Sequence, residues 1–119
     1  MVTEAVSHSA VNMADQLHAA AIISLTESGF TSRLISKHRP ECPILAVTHS
    51  ARVTRRLCMN WGVIPIVDPE DREDEEKILF CIAQAKKRGI LHIGDITIAT
   101  SGSTQTAGTT NLIKVMEVD

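Results

Sequence analysis

Two stretches of the chain concentrate short hydroxyl side chains and glycine. Thr26-Glu27-Ser28-Gly29-Phe30-Thr31 follows an apolar run, and Thr100 to Asn111 consists almost wholly of small hydroxyl residues and glycine. The chemistry open to such stretches is anion binding. A phosphate needs several short donors that converge with no bulk between them, and Ser28, Thr31, Ser101 and Thr109 are of that type. Gly29, Gly102 and Gly108 would let the backbone itself approach. The first stretch also leads into a helix start, where unpaired N–H groups favour an anion. Short polar loops after strands equally serve as turns and helix caps, so the composition alone leaves both roles open. Glu27 opposes anion binding, because a carboxylate about 4 Å from a phosphate costs up to about 4 kcal/mol at an effective dielectric of 20. Phe30 cannot pair with a phosphate either. Lys77 is the cation on the long helix that could reach the site, although a helix lysine is ordinarily solvated.

The elements that must position these loops follow from hydrophobic spacing. Ala5, Val6, Ala10, Met13, Ala14 and Leu17 recur at helical period and predict a helix over residues 3–19. Ala20 to Leu25 predicts a buried strand, and a second helix runs to about His38, stopped before Pro40. Ile44 to Val47 is a second strand. Ser50 is placed to cap a third helix that carries Val53, Leu57 and Cys58 inward and ends at Gly62. Val63 to Val67 is a third strand, and its Pro65 points to a sheet edge. Acids from Asp68 to Glu76 open a long helix through Ile78, Leu79, Ile82 and Ala85. Lys86, Lys87 and Arg88 close it, as the helix dipole favours, and Gly89 ends it. Asp95 to Thr100 and Leu112 to Val118 are the last two strands.

This order, αβαβαβαββ, predicts an α/β fold: a three-layer sandwich around a five-stranded mixed sheet, four strands parallel and the fifth antiparallel. Residues 1–119 form a single domain, with no linker, repeat or low-complexity tract. Open sheets of this kind bind ligands beyond the C-terminal ends of strands where the winding reverses. If the first and fourth strands are neighbours, that point lies between them, and the two hydroxyl loops meet there.

Composition excludes several function classes. Hydrophobic residues are 44% of the chain and the formal charge is −2, so nothing global attracts nucleic acid or an anionic membrane. No apolar run approaches the ~20 residues of a bilayer span, and no signal peptide is visible at the start, so a cytoplasmic setting is expected. Cys42, Cys58 and Cys81 form no C-x-x-C pair and are expected to be reduced and mostly buried. His8, His18, His38, His49 and His92 are scattered without metal-ligand spacing. Thr48-His49-Ser50 puts Ser and His side by side, but adjacent residues at a strand end point apart and no orienting carboxylate is evident. Arg52, Arg55 and Arg56 make one basic helix stretch, without the aromatics or wide positive field of a nucleic-acid surface. The usual nucleotide-binding glycine motifs do not occur.

Four longer stretches carry a family resemblance: TESGFTSRLISKHRPECPILAVT (Thr26 to Thr48), RRLCMNWGVIPIV (Arg55 to Val67), GILHIGDITIATSG (Gly89 to Gly102) and GTTNLIKV (Gly108 to Val115). Over nearly its whole length the chain resembles the C-terminal domain of pyruvate kinase. Trp61-Gly62-Val63 after a basic helix is more similar to bacterial members than to animal ones. The resemblance implies an accessory domain beside a catalytic (β/α)₈ barrel, which helps to build a tetramer and holds an effector site for phosphorylated sugars or nucleotides. It places that site between the loops matching Thr26–Thr31 and Ser101–Thr110. Lys77 matches a position where a basic residue can reach a second phosphate. Members activated by fructose 1,6-bisphosphate usually carry Lys or Arg in the first loop, where this chain has Glu27 and Phe30. A monophosphate such as ribose 5-phosphate or AMP therefore fits better, and an unresponsive site also fits. The resemblance further implies that subunits pair through the last strand, Leu112 to Val118, which is an edge strand with few blunting devices.

The barrel of the parent enzyme, with its metal-binding carboxylates, phosphate-binding arginine and catalytic lysine, has no counterpart in these residues. The chain alone is thus expected not to transfer phosphoryl groups, to have no catalytic residue and to need no cofactor; the Mg and K of pyruvate kinase would belong to the parent enzyme. The rival expectation is a free-standing small α/β enzyme or phosphate-ligand sensor using the same crevice. It needs a nucleophile or metal carboxylates at strand ends, and Glu27 and Asp68 are the only acids near such places, neither with an obvious partner.

Overall fold

The computed structural model describes residues 2–26, 28–102 and 110–119. Its elements run α1 (Val2–Leu17), β1 (Ala21–Leu25), α2 (Phe30–Lys37), β2 (Ile44–Thr48), α3 (Ala51–Cys58), β3 (Val63–Val67), α4 (Asp74–Lys87), β4 (Ile96–Gly102) and β5 (Thr110–Glu117). The strands form one sheet in the order β3-β2-β1-β4-β5. β1 pairs in parallel with both β2 and β4, β2 in parallel with β3, and β5 antiparallel to β4.

Period-two alternation along the central strands splits the core into two layers. Ile22, Ile44, Ala46 and Ile98 face one way and pack with residues of α1, α2 and α3, among them Ala10, Ile35, Val53 and Leu57. Ala21, Ile23, Leu45, Val47 and Ala99 face the other way, toward Ile78, Cys81, Ile82 and Ala85 of α4. Helices therefore cover both faces, and the expected three-layer α/β sandwich is what forms. Winding runs from β1 outward to β3, then back across α4 to β4, so the direction reverses between β1 and β4. Pro65 sits on β3, at the sheet edge, opposite Ala46 of β2.

Several facing assignments need correction. The buried stripe of α1 is Thr3, Ser7, Ala10, Val11 and Ala14, while Ala5 and Leu17 are exposed. The helix is turned because Ser7 satisfies its own hydroxyl, donating to the Thr3 carbonyl at 2.7 Å, and so can enter the core. On α4 the stripe is Lys77, Ile78, Cys81, Ile82 and Ala85, and Leu79 is 55% exposed. Cys58 does not turn inward with Val53 and Leu57: it is exposed, Cys42 is half-buried and only Cys81 is buried. Burial pushes the Cys81 thiol from 9.0 up to about 12, against a smaller lowering by Arg88. Burial, more than the neighbouring acids Asp15 and Glu41, also raises the Cys42 thiol. Ser50 does occupy the N-cap of α3, but its side chain makes no capping hydrogen bond.

Candidate functional site: the β1–β4 crevice

The chain leaves β1 through a turn held by its own side chains. Thr26, buried, donates its N–H to the Val47 carbonyl at 3.0 Å, which anchors the turn to β2. Its hydroxyl oxygen accepts the Gly29 N–H at 2.7 Å. Ser28 accepts the Phe30 N–H at 3.3 Å through Oγ. Gly29 is the N-cap of α2 and has φ of +86°, a left-handed conformation. A Cβ there would lie 3.2 Å from Leu57 Cδ2 of α3, so glycine answers both the backbone angle and the close packing. Behind the turn, Ser32 donates to Ser24 Oγ at 3.1 Å inside the core.

The start of β5 meets this turn. Thr31, in the first turn of α2, and Thr110, at the start of β5, are both buried, and their hydroxyl oxygens are 2.8 Å apart. They are separated by 79 positions in the chain. Gly102 pairs with Thr110 across β4 and β5, with a register irregularity between Ser101 and Gly102 that bends the end of the ladder. Ser101 and Gly102 are half-buried. Glu27, Gly108 and Thr109 lie outside the described residues.

Lys77 is not a solvated helix lysine. It is 8% exposed, on the inward stripe of α4, with Nζ 3.6 Å from Asp71 Oδ1. Asp71 belongs to the acidic segment before α4, and it gives the ammonium a partner as it leaves water. Asp68, expected to stand alone, also has partners. It is fully buried, its Oδ1 accepts the Glu70 N–H at 2.9 Å, and Oδ2 lies 3.5 Å from Arg72 Nε. That pair is close enough to share charge, yet Oδ2 accepts no aligned hydrogen bond. Arg72 also pairs with Glu70 at 2.6 Å and lies over the Phe80 ring, 4.8 Å from its centroid. The acidic segment thus neutralises itself in part. His49 joins the ends of β2 and β3, with Nδ1 3.0 Å from the Asp68 carbonyl, and Ser50 uses its N–H on Thr48 Oγ1 at 3.1 Å. No group of three His, Cys, Asp or Glu side chains suited to a metal occurs among the described residues.

The predicted residues that the structure describes therefore fall into two groups. Thr26, Ser28, Gly29, Phe30 and Thr31 form one compact turn, joined by Thr31 to the strand pair that carries Ser101 and Gly102. Lys77 enters from the other face of the sheet, already paired with Asp71. The residue missed by sequence reasoning is Thr110, the partner of Thr31. It stands next to the predicted Thr109, and nothing in local spacing singles it out.

A reversal of winding between β1 and β4, with Thr31 of the turn after β1 against Thr110 of β5, defines a doubly wound α/β domain whose candidate ligand crevice lies at the switch point. Comparison with known proteins narrows this. Residues 4–116 match the family described as pyruvate kinase, alpha/beta domain, and the chain belongs to that family. It is 37% identical over 118 residues to the pyruvate kinase of Clostridium acetobutylicum, spanning 98% of this chain and 25% of that protein. It is 40% identical over 115 residues to pyruvate kinase 2 of Synechocystis, spanning 96% of this chain and 20% of that protein. Among solved structures, a pyruvate kinase from Cryptosporidium parvum superimposes with a TM-score of 0.92 at 36% identity, covering the whole chain and 23% of its own. The chain thus spans about a quarter or less of the relatives it matches. No helix among the described residues is long and apolar enough to cross a membrane.

Proposed function

We propose that this chain is the regulatory and oligomerisation domain of a pyruvate kinase, the enzyme that makes pyruvate and ATP from phosphoenolpyruvate and ADP. By itself it is non-catalytic. It acts in the cytoplasm beside a catalytic barrel that supplies the Mg and K chemistry, and it contacts neither nucleic acid nor membrane. Its crevice takes a phosphorylated small molecule between residues 26–31 and 101–110, with Lys77 as the nearby cation. The observation that supports this is the 2.8 Å contact between the Thr31 and Thr110 hydroxyls, which joins the turn after β1 to the start of β5.

The first turn of a helix leaves its leading N–H groups without helical acceptors. Here Thr26 and Ser28 take up those of Gly29 and Phe30. The N–H groups of Thr31 and Ser32 come next, beside two hydroxyls that can turn their protons outward. That set suits one phosphate. The Asp71 partner of Lys77 leaves little surplus positive charge for a second, and the loop sequence carries Glu27 in place of a base, so ribose 5-phosphate or AMP fits better than fructose 1,6-bisphosphate.

Thermal denaturation with inorganic phosphate, ribose 5-phosphate, AMP and fructose 1,6-bisphosphate tests the assignment. A ligand at a hundred times its Kd stabilises the fold by about 2.7 kcal/mol. The monophosphate esters should raise the midpoint more than the bisphosphate does, and an unmoved midpoint with every anion would overturn the assignment. Self-association through β5 belongs to the same proposal. The strand is an edge, eight residues long, with Leu112 and Val115 exposed at 52% and 45%. Light scattering behind size exclusion should report at least a dimer, and a 13.0 kDa species at high concentration contradicts it.

A further inference from the structure

The turn after β1 has a second flank, away from β4. There α2 and α3 border a groove of about 470 Å³. Its apolar lining comes from Phe30, Leu57 and Met59, and its polar lining includes Arg33, Arg56 and Asn60. It shares the turn residues Ser28, Gly29 and Phe30 with the proposed phosphate site, but neither Lys77 nor Thr110 lines it, and its other lining comes from α2 and α3 and the residues just after α3.

Charge is distributed unevenly around this groove. From Thr31 to Val67 the bases are Arg33, Lys37, Arg39, Arg52, Arg55 and Arg56, and the only acid is Glu41. Among the described residues, no carboxylate lies within 4.0 Å of Arg33 or Arg56. Arg33 lies against the Phe30 ring with its guanidinium carbon 5.6 Å from the centroid, an arrangement that leaves donors at the edge of the fork. Met59 is 85% exposed, so a large apolar side chain stands at the same place uncovered. A volume in the few-hundred-Å³ range, apolar lining and a small number of placed polar groups are the ordinary attributes of a small-molecule site.

We propose that this α2–α3 groove binds a small organic anion: a flat apolar body bearing one carboxylate or phosphate. The apolar body lies against Phe30, Leu57 and Met59. The anionic group is held by Arg56 and Arg33, whose planar forks suit either oxyanion. Asn60 adds a neutral donor at the rim. The occupant shares Ser28, Gly29 and Phe30 with the crevice and reaches neither Lys77 nor Thr110.

The test is NMR titration of the chain with 3-phenylpropionate, phenyl phosphate and inorganic phosphate, reading the Met59 and Leu57 methyl signals and the Asn60 side-chain amide. The two phenyl compounds should move all three along saturable curves, and inorganic phosphate should bind there far more weakly. Arg56→Gln and Arg33→Gln change exposed residues and should keep the native spectrum while weakening the phenyl ligands roughly tenfold each. Lys77→Gln should leave this binding unaltered. The proposal is overturned by shifts that rise linearly with concentration, by affinity indifferent to both arginine variants, by phosphate binding there as well as its phenyl ester, or by shifts confined to Thr31 and Thr110. Response to phenyl phosphate but not to phenylpropionate would also overturn it, because the carboxylate arm is part of the claim.

Discussion

The turns that follow β1 and β3 use the same device with opposite chemistry. Each ends a parallel strand, and in each a side-chain oxygen accepts a backbone N–H a few residues on: Thr26 from Gly29 at 2.7 Å, Asp68 from Glu70 at 2.9 Å. The first oxygen is neutral and the second charged, and the surroundings follow from that. A buried carboxylate needs a cation, so the β3 turn recruits Arg72 and is consumed in its own ion pairs. The hydroxyl turn needs no counter-ion. It lies at the reversal of winding, beside the end of β4, whereas the acidic turn lies at the sheet edge. Similar turn geometry is therefore compatible with a ligand site at one place and a structural clamp at the other.

If the acidic turn is a clamp, removing its centre should cost most. Asp68→Ala should destabilise the fold by about 3 kcal/mol, since Arg72 loses its buried partner and the Glu70 N–H its acceptor. Urea denaturation measures this, and a loss below about 1 kcal/mol would show that the pair carries little. Gly29→Ala should cost about 1.5 kcal/mol through a left-handed backbone and the 3.2 Å approach to Leu57. It should also reduce phosphate-ester binding, which Asp68→Ala at temperatures below unfolding should not.

Alkaline pH probes the helix that the acidic turn opens. Below pH 9.0 the Cys81 thiol is protonated in folded and unfolded chains alike, whereas between 9.0 and about 12 only the unfolded chain releases its proton. Stability should then fall as pH rises through that window, by up to about 1.4 kcal/mol per pH unit, and Cys81→Ala should flatten the slope. A slope unchanged in the variant would place its origin elsewhere. The smallest effect is the pairing of the two loops. Thr31→Val and Thr110→Val, singly and together, should show a coupling of about 1 kcal/mol in a double-mutant cycle, and additive effects would mean that the 2.8 Å contact has no energetic weight.

Much of this architecture is legible in the chain itself. Short apolar runs separated by helical periods give the element order, and Pro65 alone identifies the β3 edge, because it cannot donate to a ladder. Less legible is which side chains turn inward. Thr3 and Ser7 look like surface residues until the bond from Ser7 to the Thr3 carbonyl is seen, and with them the buried stripe of α1 shifts away from Ala5 and Leu17. Lys77 also looks solvated in the sequence; it lies on the inward stripe of α4 with Asp71 at 3.6 Å, a pairing that charge spacing alone does not give. Within the crevice, the turn from Thr26 to Thr31 is readable as hydroxyl and glycine chemistry. The Thr31–Thr110 contact is not, since it joins segments brought together only by sheet order.

The central claim is that these two segments bound a single phosphate-ester hollow. NMR titration with ribose 5-phosphate, following the Thr31 and Thr110 methyl signals, tests it most directly. Both signals should shift together and saturate with one shared Kd. Signals that move with different affinities, or that stay still while ligand is in large excess, would contradict it.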